Sequence, residues 1–324
     1  MAVCFFDDFR SMSKSVSYDD FEAIRISSVR NDFLVKGPGG EPIFLLSDSS
    51  PIRYVVGRTL KYIKAEFHVT CSVKVKADYV TGQFAMISCG MESPELHEIF
   101  LRCVGATIGV LPPICGTTEL ENIVVDLLEI FRVLSEPAAN DISGFWAELW
   151  VIAESSNIPF AVDLWHSDVY DRYDFSSPDI FVEIKSTTKN FRIHDFSLEQ
   201  LNPPETGSGF VISVMLQLLS GGVSVLDLVE NIEVALFNHP QLKKKLWSIV
   251  TKTLGNDFSE KIDKRFDSAY ASRNVSVYLM TDIPSVGPLD DARISNVKFS
   301  ADLSTICSSL KGNARANLES CFAG

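Results

Sequence analysis

The chain has 324 residues, 46% hydrophobic and 22% charged, which supplies material for a substantial core and excludes a largely disordered protein. Its 29 basic and 42 acidic residues give a net charge of −13, which argues against tight, unaided nucleic-acid binding through a uniformly basic surface. No apolar run approaches the roughly 20 residues that span a bilayer, and "MAVCFFDDFRSMSKS" predicts no secretory leader, so no membrane association is expected.

Seven cysteines (Cys4, Cys71, Cys89, Cys103, Cys115, Cys307 and Cys321) form no C-x-x-C pair and are odd in number. A reduced, cytoplasmic setting is therefore expected, and structural zinc is disfavoured because the five histidines lie far apart. Charge is uneven along the chain. Arg53 to Lys76 holds six basic residues and one acid, and Gln241 to Arg273 holds eight and four. Asp141 to Gln200 reverses this with four bases and eleven acids, 4 − 11 = −7. Such runs read first as solvated faces. An acidic segment between basic ones can also hold a divalent cation while its neighbours contact phosphates.

In chain order, the stretch from Phe21 to about Ser88 predicts strands: "FEAIRISSV", "DFLVKGPGGEPIFLL" and "EFHVTCSVKVKADYV" are β-branched and partly alternating. Gly37-Pro38-Gly39-Gly40 is a hairpin turn, since it lacks the Gly-Lys-Ser/Thr ending of a phosphate-binding loop. Helices follow at "SPELHEIFLRCVG", with Ser93 as N-cap and Pro94 at the first helical position, and at "TTELENIVVDLLEIFRVLSE". Pro112-Pro113 separates the two helices. The organisation expected is a β-rich region over 1–92, a helical connector over 93–139 and a core over 140–324 with C-terminal helical and β elements.

That core begins with the helix "SGFWAELWVIAESS", then a short strand or loop. Strands follow at "DIFVEIKS", "KNFRIHDFS" and "GFVISVMLQLL", and helices at "SVLDLVENIEVALF" and "PQLKKKLWSIVTKTL". Late strands at "NVSVYLMTD" and "ISNVKFSADLS" precede a terminal helix. The fold class predicted is mixed α/β without strict βαβ alternation.

Chemistry concentrates in "YDFSSPDIFVEIKS". Strand alternation puts Phe181, Glu183 and Lys185 on one face, with a carboxylate and an ammonium about 7 Å apart. Charges in an otherwise apolar strand need a partner, because burying them unpaired is costly. Asp179, four residues before Glu183 on the same strand, would lie roughly 13 Å away, too far for both to ligate one metal at about 2.1 Å. Asp174 can instead sit on the preceding strand, with Ser176, Ser177 and Pro178 making the reversal, and face Glu183. Upstream, Phe145, Leu149 and Ile152 recur at helical spacing, and Glu148 falls within their stripe. Taken alone, Glu148 reads first as a border position or a salt bridge and second as a functional residue.

The order of these signals resembles the PD-(D/E)XK phosphodiesterase superfamily, the fold of many restriction endonucleases. It resembles more closely the bacterial family of PD-(D/E)XK motif proteins, often encoded beside restriction-modification or other phage-defence genes. The residues that carry this are Gly144-Phe145-Trp146-Ala147-Glu148-Leu149, Asp174-Phe175 and Val182-Glu183-Ile184-Lys185-Ser186-Thr187, with further similarity in "RIHDFSLEQL", "SVLDLVENI" and "ISNVKFSADLS". It covers most of the chain from about residue 100 onward. Ala147 departs from the glycine that the family prefers.

The resemblance implies a restriction-endonuclease-like core, a central mixed sheet flanked by helices, acting as a Mg²⁺-dependent DNA endonuclease, with Mn²⁺ as a substitute. Asp174 and Glu183 would hold the metal with the carbonyl of Ile184, and Glu148 would act directly or through water. Lys185 would orient the nucleophile or stabilise developing charge. Lys189, Arg192 and His194 would touch the DNA backbone or simply lie on the surface. A homodimer fits a double-strand cut, and the family's neighbourhood suggests an ATPase or methyltransferase partner. Two alternatives stand beside this: a non-catalytic DNA-binding or assembly subunit with the same fold, and a structural protein in which the motif is chance.

Overall fold

β-branched and aromatic residues dominate the first part of the chain, and in the computed structural model they form one six-stranded sheet. The structure describes residues 5–18, 20–90, 94–136, 141–166, 171–204, 207–287 and 297–307, with Arg293, Leu310, Asn313, Ala316–Leu318, Cys321 and Phe322. The chain divides into two compact units, Met1–Ala138 with His239–Phe258, and Ala139–Asn238 with Ser259–Gly324.

The first unit holds α1 (Phe5–Ser11), β1 (Asp20–Arg25), β2 (Phe33–Lys36), β3 (Pro42–Ser47), β4 (Arg58–Thr59), β5 (Ile63–Val75), β6 (Asp78–Cys89), α2 (Pro94–Ile108) and α3 (Thr117–Val133). Its strand order is β1-β2-β3-β6-β5-β4. β1 also pairs in parallel with β5, from Asp20↔Ser72 to Glu22↔Lys74, so the sheet curls round and closes on itself. Phe21, Phe33, Val35, Ile43, Leu45, Val73 and Phe84 form its buried interior. The expected glycine turn joins β2 to β3, where the Gly37 N–H donates to the Glu41 carbonyl (2.8 Å) and Gly40 takes a φ of 97° that favours glycine.

α2 and α3 were expected as a connector over 93–139. They instead belong to this unit, because both carry apolar stripes that need cover, and α2 packs on β3 while α3 packs on β5 and β6. Ser93 lies outside the described residues. Arg30 and Asp32 tie the sheet to the Pro112-Pro113 break between these helices. Asp32 is fully buried, with Oδ2 accepting from Arg30 Nε at 2.6 Å and Oδ1 from the Ser47 N–H at 2.9 Å. Arg30 Nη1 donates onward to the carbonyls of Leu111 (3.0 Å) and Pro112 (3.1 Å).

The second unit runs through α4 (Ile142–Glu154), α5 (Ile158–Leu164), β7 (Phe175–Ser176), β8 (Ile180–Thr187), β9 (Ile193–Ser197), β10 (Ser208–Met215), β11 (Leu218–Ser224) and α6 (Val225–Ala235). The chain then supplies α7 (Pro240–Leu254), which packs on α2 and α3 in the first unit, and continues through α8 (Phe258–Ile262). β12 (Arg265–Phe266), α9 (Ser268–Arg273), β13 (Val275–Leu279) and β14 (Lys298–Asp302) complete the second unit. Its main sheet is mixed, in the order β13-β10-β8-β7, with β8 and β10 parallel and the other neighbours antiparallel. β9 pairs with β14 instead of joining that sheet. α4 packs on β8 and on α6.

Two local expectations change. The segment after α4, read as a short strand or loop, forms α5, because the Asn157 side chain accepts from the Phe160 N–H (3.2 Å) and Pro159 sits in the first turn. Of the terminal helix, Ala316–Leu318 are helical and most of the remainder lies outside the described residues.

Removing one member of a buried ion pair leaves the other charge uncompensated. Arg30→Met should therefore destabilise the first unit by about 3–5 kcal/mol, read by urea unfolding; a change within experimental error would show that Asp32 is held by Ser47 alone.

Candidate active site

The Ser177–Ile180 turn sets the geometry. The Ser177 N–H donates to the Ile180 carbonyl (2.8 Å), and Ser177 Oγ accepts from the Ile180 N–H (3.1 Å). Pro178 and Asp179 are its exposed corner, as expected for a turn, and Ser176 stays in strand β7, so the reversal starts one residue later than the sequence suggested. The pairs Phe175↔Val182 and Ser176↔Phe181 place Asp174 next in register opposite Glu183.

Hydrogen-bond direction along β8 then fixes what faces Asp174. Asp179 accepts from the Ser208 N–H and Thr187 from the Leu216 N–H, both at 2.8 Å, so alternate residues from 179 to 187 point their main-chain groups at β10. Ile184 therefore points both N–H and carbonyl to the opposite edge. β7 ends before reaching it, and the Asp174 side chain replaces the missing strand: its Oδ2 accepts from the Ile184 N–H at 2.6 Å. The Ile184 carbonyl opens beside Asp174, and Asp174 Oδ1 makes no hydrogen bond among the described residues.

Glu183 is 4% exposed. Its Oε1 accepts from Lys185 Nζ (2.7 Å) and from Gln200 Nε2 (2.6 Å), while Oε2 makes no hydrogen bond among the described residues. Lys185 is steadied by the Phe196 ring, with Nζ 5.2 Å from its centre. Gln200 is clamped in turn, its Oε1 accepting from the Ser197 N–H at 3.0 Å. Glu148 comes from α4, and its Oε2 accepts from Trp165 Nε1 at 2.9 Å. Trp165 is fixed between Phe145 and Phe175, stacked at 5.9 and 6.5 Å. Ala147 is completely buried on the same helix.

The three carboxyls feel one another. Burial raises Glu148 well above the usual carboxylate range, and the charges of Asp174 and Glu183 raise it further, against the Trp165 hydrogen bond. Burial lifts Asp174 to about 6 although the Ile184 N–H, Lys185 and His166 oppose it. Burial and then Asp174 lift Glu183 to about 8 against the pull of Lys185 and Gln200. Among the described residues, no group of three or more His, Cys, Asp or Glu side chains is arranged to hold a metal ion. A divalent ion at this edge would thus rest on the Asp174 and Glu183 carboxylates and the Ile184 carbonyl, a hard-oxygen set of the size Mg²⁺ accepts while keeping several waters. The crowding of these acids, with oxygens on Asp174 and Glu183 that accept no hydrogen bond among the described residues, fits a divalent countercharge.

The three basic residues expected at a DNA backbone separate. Lys189 is exposed. Arg192 turns inward, donating from Nη1 to the Ser213 carbonyl (2.8 Å) and from Nη2 to the Asn274 carbonyl (2.6 Å). His194 is 5% exposed, 2.8 Å from Ser213 Oγ, and burial together with Lys185 and Arg192 lowers it to about 4. Both are held in the fold because β9 alternates, which sends His194 inward with Phe196. Gln200 and Trp165 were not singled out from the sequence; neither belongs to a spacing pattern that marks it.

A family model described as "Putative PD-(D/E)XK family member, (DUF4420)" matches residues 7–304, reaching well before the motifs quoted above. No curated protein and no solved structure matches the chain.

Asp174 and Glu183 hold protons more tightly than their ordinary values of 3.8 and 4.5. At these two groups the native state therefore binds more protons than the unfolded one between about pH 4 and 8, and the stability they contribute is lost as pH rises through that window, outweighing the opposite effect of His194 below about pH 6.5. In metal-free buffer the melting temperature should fall from pH 5 to pH 8.5, and Glu183→Gln should flatten the upper half of the fall. A melting temperature that climbs across this range contradicts the assignment.

Proposed function

From the premise that the chain belongs to this PD-(D/E)XK family, whose superfamily consists generally of nucleases and phosphodiesterases, we propose that it is a metal-dependent endonuclease hydrolysing DNA phosphodiesters. One observation carries the reading: the Asp174 carboxylate takes the place of a strand and accepts from the Ile184 N–H, which sets it beside the main chain that follows buried Glu183. Mg²⁺, or Mn²⁺ in its place, would supply Lewis-acid polarisation of the phosphate and a water of lowered pKa.

The remaining roles belong to the chain. Asp174 and Glu183 would hold the metal through the oxygens that accept no hydrogen bond among the described residues. Lys185, already aligned by Glu183 and the Phe196 ring, places a positive charge where a nucleophilic water or a developing phosphate charge would stand. Glu148 acts through water, fixed in orientation by Trp165. Gln200 holds Glu183 in register. Of the predicted backbone contacts only Lys189 remains available, so the proposed substrate grip needs further basic surface or a partner. A homodimer for double-strand cutting, recruitment by an ATPase or methyltransferase, and a role in bacterial phage defence or restriction-modification form part of this proposal. The net charge of −13 favours recruitment over unaided binding.

Asp174→Ala and Lys185→Ala should each lower Mg²⁺- or Mn²⁺-dependent cleavage of plasmid DNA by about 10²–10³-fold, and Asp174→Ala should also remove Mn²⁺ binding measured calorimetrically. Cleavage that survives both substitutions sinks the proposal; Mn²⁺ binding with no cleavage would assign a non-catalytic DNA-binding or assembly role instead. Glu148→Gln should weaken Mn²⁺ binding by about 10–100-fold, the usual effect of losing an outer partner.

A further inference from the structure

The first unit contains a second concentration of polar chemistry, built on residues separate from the proposed active site. Between β3 and β5 the chain runs along the outside of the sheet with Tyr54 91% exposed, Ile52 75% and Val56 63%. Basic residues interleave with them. Arg53 makes a loose, exposed pair with Glu121 at 3.6 Å, while Arg58 and Lys61 have no ion pair among the described residues. Lys61 Nζ lies 4.5 Å from the centre of the Tyr62 ring. On a chain of net charge −13, six bases against one acid from Arg53 to Lys76 form a strong local contrast.

The same stretch borders an open cleft of about 490 Å³, with Leu60, Tyr62, Ile63 and Met86 on its walls and Glu41 and Tyr18 among its polar groups. Glu41 is 5% exposed. Its Oε1 accepts from the half-exposed Tyr18 hydroxyl at 2.6 Å, and its buried Oε2 has no partner among the described residues. A buried carboxylate oxygen without a donor is a costly state that a ligand can relieve. The cleft thus offers an apolar, aromatic wall for a flat ring and an acceptor for N–H groups, with unpaired cations on the chain entering it.

We propose that this cleft receives one unstacked, amino-bearing base of a single nucleic-acid strand, cytosine above all, while Arg58 and Lys61 hold the flanking phosphates. The base lies against Tyr62, its exocyclic N–H groups replace the Tyr18 hydroxyl at Glu41, and Tyr54 stacks a neighbouring base. Duplex DNA cannot enter this way, because the base must leave its stack.

The test uses the full chain in EDTA, so that cleavage plays no part, with fluorescein-labelled oligodeoxycytidine and oligothymidine of about 12 nucleotides, within the span such sites cover. Anisotropy should show the cytidine strand bound about tenfold more tightly, as one base contact of this kind provides. Arg58→Glu and Lys61→Glu should each weaken binding about tenfold and shrink the log–log salt dependence by about 0.7 per lost phosphate contact. Lys264→Glu, an exposed charge reversal elsewhere, should do neither. Glu41→Gln should abolish the preference for cytidine. Should that variant misfold, Tyr18→Phe at the half-exposed partner should sharpen the preference by freeing Oε1. Unchanged binding in both Arg58→Glu and Lys61→Glu, equal affinity for the two strands, or no binding at all overturns the proposal. Failure of metal-dependent cleavage leaves it standing, and its own failure leaves the cleavage reading standing.

Discussion

A single hydrogen bond organises the second unit: the Ile184 main-chain N–H to the Asp174 carboxylate, at 2.6 Å. Main-chain groups inside a protein must find partners, and Ile184 points its pair to the edge that β7 abandons. Had β7 continued past Phe175, its own main chain would have taken both groups and closed that edge. The two-residue length of β7 is therefore what permits the site. One side chain satisfies the donor, and the acceptor is left facing outward beside a carboxylate. The serine turn and the register both serve this arrangement.

Asp32 in the first unit and the acidic cluster in the second are treated differently. In the first, both oxygens of Asp32 receive donors, from Arg30 and Ser47, and the guanidinium continues to two carbonyls. Nothing there remains for a ligand, and the pair is structural. In the second, the charges of Asp174 and Glu183 raise the proton affinity of Glu148, that of Asp174 raises Glu183, and among the described residues Lys185 is the cation paired with them by contact. Such a deficit of positive charge is expensive in a merely structural cluster and is characteristic of functional sites.

Much of this was legible in the residues. Alternation in "DIFVEIKS" put Glu183 and Lys185 on one face, reach along a strand moved the first acid from Asp179 to Asp174, and helical spacing brought Glu148 inward. The same alternation applied to "RIHDF" would have sent His194 inside with Phe196. Their place just beyond the catalytic strand favoured a surface reading, and that is where the expectation for Arg192 and His194 departed from the fold. Gln200 and Trp165 were invisible because each acts through a tertiary contact that no spacing encodes. The pairing of β1 with β5 and the attachment of α7 to α2 and α3 were equally hidden, since both join segments far apart in sequence.

That last attachment shapes how the protein is made. The first unit takes Met1–Ala138 and then waits for His239–Phe258, so 258 − 138 = 120 residues must be made after its main body before its final piece is complete. At translation rates of about 5–20 residues per second this is an interval of roughly 6–24 s. Throughout it the apolar stripes of α2 and α3 stand without the helix that covers them, while most of the other unit is being synthesised. For the same reason no single cut in the gene can release the closed sheet together with all of its helices.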